Sequence, residues 1–207
     1  MIIYRFDGSM DGLLTAVFDS FVRKESPELL LGPEGEMPLF YDTLHEVVTD
    51  GEKSQRVWRK LSKSISRGAC AALTAAFLTD NPGFPLLALR FVSRAVTTQP
   101  SIEGDFSDPA VLAVVREARR VRGEAHRLLQ FVRFQKASDG TYFSMVEPLF
   151  DVLPFAVKHF EDRFLTSRSS FMTVSATMAI TIRRVNCGES RWRVRAIIFR
   201  PDDSLTR

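Results

Sequence analysis

Between Glu124 and Phe164 stand two of the chain's three histidines, His126 and His159, with the carboxylates of Glu124 and Asp162 and the guanidiniums of Arg127, Arg133 and Arg163 nearby in sequence. Imidazole exchanges a proton near neutral pH, a carboxylate can orient it, and a guanidinium can grip a phosphate through two parallel hydrogen bonds. Together they would suit acid–base chemistry on a nucleotide or nucleic acid. Histidine on a helix is more often a surface or structural residue, by about three to one. The arginines therefore carry more weight. Arg119, Arg120, Arg122 and Arg127 share one helical segment, and Arg133 and Lys136 follow it. Such a row of cations is the ordinary source of sequence-tolerant affinity for DNA or RNA. Asp7, at a strand-to-helix turn, is a further candidate, but an acid there also simply favours the helix dipole, by about two to one.

Other chemistries find less support. The sequence has no HExxH motif and no clustered carboxylate spacing, so no metal site is expected. Cys70 and Cys187 lie far apart, which argues against a disulfide framework and a zinc knuckle and points to a reducing cytoplasm. No cofactor is expected. The run from Ala69 to Leu78 is too short to span a membrane.

The 207 residues carry a net charge of +3 that is unevenly spread. Residues 1–108 hold 11 Lys/Arg against 15 Asp/Glu, and residues 109–207 hold 17 against 10, so the first part is net 4 negative and the second net 7 positive. A clustered positive field attracts polyanions where a scattered one does not.

The elements that must position these groups follow from pattern. Residues 1–6 read as a strand, ended by Asp7-Gly8-Ser9, and Ser9 caps a helix with Leu13, Leu14, Val17, Phe18, Phe21 and Val22 in one stripe. A Pro- and Gly-rich loop follows to about Phe40, then a strand at Leu44–Val48. Thr49 or Asp50 caps a basic amphipathic helix, Ser66 starts an Ala-rich helix expected to lie between other elements, and Phe84–Val96 forms a fourth. Residues 97–108 read as a linker. Asp108-Pro109 opens a helix to Leu129. Gly123 interrupts it, suggesting a close backbone approach. Alternation then places Phe131, Arg133 and Gln135 on one strand face, with Asp139-Gly140 as a hairpin turn. A further helix is expected around Leu153–Phe164, a strand over Thr173–Ile182, and a returning strand carrying Arg191, Arg193 and Arg195.

The segments YRFDGSMDGLLTAVFDSF, TDGEKSQRVWRKL, FLTDNPGFPLLALRFV and REARRVRGEAHRLLQFVRFQKASDGTYFSMVEPLFDVLPFAVKHFEDRF, in that order, resemble a bacterial family of DNA metabolism proteins, a domain of unknown function. Members of that family are typically encoded beside a radical-SAM protein assigned to DNA modification or repair, and some are fused to a uracil-DNA glycosylase domain. The resemblance covers roughly residues 1–164 and rests on Asp7, Gly8, Trp58, Glu124, His126, Arg127, Phe131, Arg133, Phe134, Asp139, Gly140, His159, Phe160, Arg163 and Phe164; beyond Phe164 the sequence departs from the pattern. It implies a role in DNA metabolism beside a radical-SAM partner. With no three-cysteine cluster here, radical chemistry would belong to that partner.

The expected fold is one α/β (α+β) domain with an antiparallel or mixed sheet, about six helices and a C-terminal β-hairpin. Residues 1–164 would form the core and 165–207 the hairpin extension of the same domain. The expected function is a DNA metabolism or repair accessory protein that binds DNA through the basic helix and hairpin. A processing enzyme using His126 and His159, and a module docking the radical-SAM partner, are the alternatives.

Overall fold

A computed structural model describes residues 1–99 and 101–133, residues 146, 148–153, 155 and 156, and the backbone of strands at 135–136, 142–146, 169–173, 179–183 and 193–197. The chain divides into two compact units, Met1–Arg120 and Val121–Arg207.

In the first unit, strand β1 (Ile2–Arg5) lies between β2 (Leu29–Leu31) and β3 (Thr43–Glu46), and both neighbours run parallel to it. Tyr4 stands level with Leu30 on one side and His45 on the other. Ile3 and Tyr4 are both fully buried. Successive strand residues point to opposite faces, so both faces of β1 are covered, as parallel sheets require. This sheet corrects the expectation of an antiparallel or mixed one, and β2 occupies residues read as loop. A strand covered on both faces has no alternation to reveal it, and parallel neighbours need no tight turn.

Five α-helices are present among the described residues: α1 (Met10–Arg23), α2 (Gly51–Ser64), α3 (Arg67–Ala76), α4 (Phe84–Thr97) and α5 (Pro109–Phe131). The count is one short of expectation. Of the sixth expected helix, only Leu153, Phe155 and Ala156 are described, as helical. The Ser9 hydroxyl accepts from the Gly12 N–H at 2.8 Å, Asp50 from the N–H groups of Glu52 and Lys53 at 2.8 and 3.1 Å, and Ser66 from that of Ala69 at 3.1 Å. Each bond satisfies donors that a helix start leaves open. Helices α1, α2 and α4 pack on one another. Tyr4, Leu13, Leu30, Leu61, Leu73, Phe84, Phe91 and Val111 form the centre of the core.

Two smaller expectations change. Only Leu73, Ala75 and Ala76 of α3 are buried, and Ala71 and Thr74 are exposed, so this helix has an open side. The expected linker contains a 3-10 turn, Ile102–Gly104, which anchors itself by burying Ile102.

In the second unit, β4 (Gln135–Lys136), β5 (Tyr142–Val146), β6 (Ser169–Thr173), β7 (Ala179–Arg183) and β8 (Arg193–Ile197) lie side by side in sequence order. The β5–β6 pair is parallel and the others are antiparallel. Val121, Ala125, Phe150, Val152, Leu153 and Ala156 are buried. Phe131, expected on a strand, is the last residue of α5. The expected strand over Thr173–Ile182 takes in the end of β6 and most of β7, and residues 174–178 lie outside the described ones. So do Asp139-Gly140 and Asn186–Gly188, the expected turns.

Candidate nucleic-acid interface

Helix α5 begins at Asp108, whose carboxylate accepts the Ala110 N–H at 2.6 Å and pairs with Arg94. Pro109 follows at the first helical position, where its missing donor costs nothing. Ala110, Val111, Val114, Ala118, Val121 and Ala125 are buried, spaced three or four residues apart as one face of a helix demands. On the rest of the helix Arg116, Arg119, Arg120, Arg122, Gly123, His126, Arg127 and Gln130 are all exposed.

The arginines fall into two groups. Arg120 Nη1 donates to Glu117 Oε2 at 2.7 Å, and Arg127 pairs with Glu124, each pair three residues apart. Both glutamates are buried and both arginine side chains are at least half exposed. Two of the expected phosphate-binding cations are thus partly neutralised by internal carboxylates. Of the five donors in its fixed fork, Arg127 gives one to Glu124 among the described residues. Arg116, Arg119, Arg122 and Arg133 are exposed and make no ion pair among the described residues.

Glu124 also accepts the Leu149 N–H at 3.0 Å. This carboxylate, expected to orient a histidine, instead anchors Arg127 and a loop of its own unit. The His126 ring meets Gln130, with Nε2 of each 2.9 Å apart. Gly123 has nothing within 4 Å of where a Cβ would stand. The close backbone approach expected there is absent among the described residues. Lys136 is placed in β4 by its backbone; His159, Asp162 and Arg163 lie outside the described residues.

Asp7 lies in the other unit, at the end of β1. Its carboxylate accepts from the Ser9 N–H at 2.9 Å, the Ser9 hydroxyl at 2.7 Å and the Thr49 hydroxyl at 2.7 Å. Partial burial alone would raise its pKa, but the bonds from Ser9 and Thr49 outweigh that and hold it below the ordinary value. It joins the β1–α1 turn to the β3–α2 turn.

Two charged groupings escaped the sequence reading. Glu117, 1% exposed, accepts from the Thr79 hydroxyl at 2.9 Å and Asn81 Nδ2 at 3.4 Å besides Arg120. Burial penalises its charge, yet these donors lower its pKa overall. Asp19, 8% exposed, lies 2.8 Å from Lys53 Nζ and 3.0 Å from His45 Nε2. The His45 ring meets the buried Tyr4 ring edge-on at 4.7 Å, and the Tyr4 hydroxyl donates to Glu25 at 3.0 Å. The available signal was a charged residue four positions after Thr15 on the side of α1 that also buries Ala16 and Ser20.

Among the described residues, no three His, Cys, Asp or Glu side chains gather so as to hold a metal ion. No described helix is long and apolar enough to cross a membrane. The model of a family described as a domain of unknown function, DUF4130, matches residues 82–199, more than half of the chain. The match runs well past Phe164, where the resemblance was expected to end. No curated protein matches the chain.

Proposed function

Because the chain belongs to the DUF4130 family, whose function is unknown, we propose that it is an accessory protein of DNA metabolism that binds nucleic acid along the exposed side of α5. The observation that carries this reading is the row of Arg116, Arg119 and Arg122, exposed and without ion pairs among the described residues. Arg120 and Arg127 extend the row, each held by a buried glutamate that fixes its direction. Five arginines against two glutamates leave the helix cationic. Phosphates meet such a surface by releasing counterions, with little regard for base sequence.

The test is fluorescence anisotropy with duplex and single-stranded DNA across a salt series. Wild type should bind at low salt, with log K falling by about 0.9 per phosphate contact for each tenfold rise in salt. Arg119→Glu with Arg122→Glu should flatten that slope by about 2 contacts. Affinity no greater than for a neutral polymer, or an unchanged slope in the double variant, overturns the reading.

Docking of a protein partner is a second reading, favoured by the exposed Leu39, Phe40 and Tyr41 of the β2–β3 loop and by exposed Phe106. Large apolar side chains grouped in solvent commonly mark such sites. The family resemblance suggests a radical-SAM protein as that partner. Co-purification of the two chains, weakened by Leu39→Asp with Phe40→Asp, would support it; equal recovery with that variant would count against it.

A further inference from the structure

We propose that the cleft between the end of α1, helix α4 and the start of α5 binds a small organic anion of the nucleoside monophosphate class. The cleft has a volume of about 620 Å³, within the range of small-molecule sites. It lies wholly within the first unit. Its use would be independent of the arginine row on α5.

The charges around the cleft are unequal in one respect: its acids are already engaged and two of its cations are not. Glu25 accepts from the Tyr4 hydroxyl at 3.0 Å and Arg23 Nε at 2.9 Å. Glu28 accepts the Ile2 N–H at 3.1 Å, and Asp108 is taken by Arg94 and the first turn of α5. Lys24 and Arg90 line the same space, are exposed, and make no ion pair among the described residues. An anion entering the cleft therefore meets two cations that no described carboxylate pairs. Lys24 is also the left-handed residue that ends α1, with φ at 55°. Glycine is the usual residue at such a position.

An apolar wall completes the fit. Phe21, half exposed, and Pro27 and Leu87 give the cleft apolar surface on which a ring can lie. A phosphate on these cations with its attached ring against Phe21 is the chemistry of a nucleotide.

The experiment is an amide-shift titration of the isotopically labelled full chain with thymidine 5′-monophosphate, thymidine and inorganic phosphate. The monophosphate should shift the amides of residues 20–28 and 87–94, with thymidine and phosphate each about tenfold weaker or more. Lys24→Glu with Arg90→Glu should weaken the monophosphate about tenfold, with thermal unfolding unchanged. Should charge reversal disturb folding, Lys24→Gln with Arg90→Gln gives the same reading. Absence of shifts at those amides, equal binding of phosphate alone, or undiminished binding in the charge variants overturns the site. DNA binding through α5 would survive all three outcomes, so the two readings fail separately.

Discussion

A Cβ built on Gly12 would collide with the Asp7 carboxylate and stand 3.1 Å from the Thr49 hydroxyl. The absence of a side chain in the first turn of α1 thus lets Asp7 lie over that turn and bridge to the next. Glycine to alanine in a helix ordinarily gains up to about 1 kcal/mol. Here crowding, about 1–3 kcal/mol in packed sites, outweighs the gain. Gly12→Ala should lower the urea midpoint, and in an Asp7→Ala background the same change should be neutral or stabilising. Equal effects in both backgrounds would break the proposed contact.

Gly123 gives the opposite expectation. Among the described residues nothing stands within 4 Å of its missing side chain, so Gly123→Ala should stabilise the protein by up to about 1 kcal/mol, read as a higher unfolding midpoint. A loss of stability would reveal a close neighbour.

Glu117 should govern acid sensitivity. Its folded pKa is lowered by Thr79, Asn81 and Arg120 against the opposing effect of burial. Its stabilisation is therefore present above the ordinary carboxylate value and is lost as pH falls through the lowered one. Glu117→Gln should cost about 1–3 kcal/mol at neutral pH and flatten the acid limb of stability against pH. An unchanged acid limb would show that the charge is unimportant.

Lys53 and Asp19 should act at both ends of the pH scale. Asp19 is held below its ordinary value, burial notwithstanding, by bonds from Lys53 and His45, so its contribution fades in acid. The Lys53 pKa is raised, mainly by its bond to Asp19. That contribution is complete below the ordinary lysine value and fades as pH rises through the raised one. Lys53 is a third exposed and also lies 5.6 Å above the Phe18 ring. Lys53→Met should cost about 1 kcal/mol and remove the alkaline limb, measured by urea unfolding from pH 7 to 11.

The elements that announce themselves chemically were legible in the sequence. Ser9, Asp50, Ser66 and Asp108 each precede a helix because a short polar side chain can reach the open N–H groups of its first turn. The three-residue β2 was not legible, since Leu29–Leu31 is too short and too uniformly apolar to declare a period. Parallel pairing was hidden for a related reason: strand direction is set by packing across the core, and sequence marks it only where a tight turn exists. At the basic helix the exposed arginines followed from spacing. Their partial pairing did not, because an i, i+3 acid can serve as a surface counter-charge or as a buried anchor. Glu117 becomes the second only through Thr79 and Asn81, 38 and 36 residues earlier in the chain.

All three strands of the parallel sheet precede Val47, and the cationic helix begins only at Pro109. A chain leaving the ribosome N-terminus first therefore has this parallel sheet complete before the helix that carries the arginines is made.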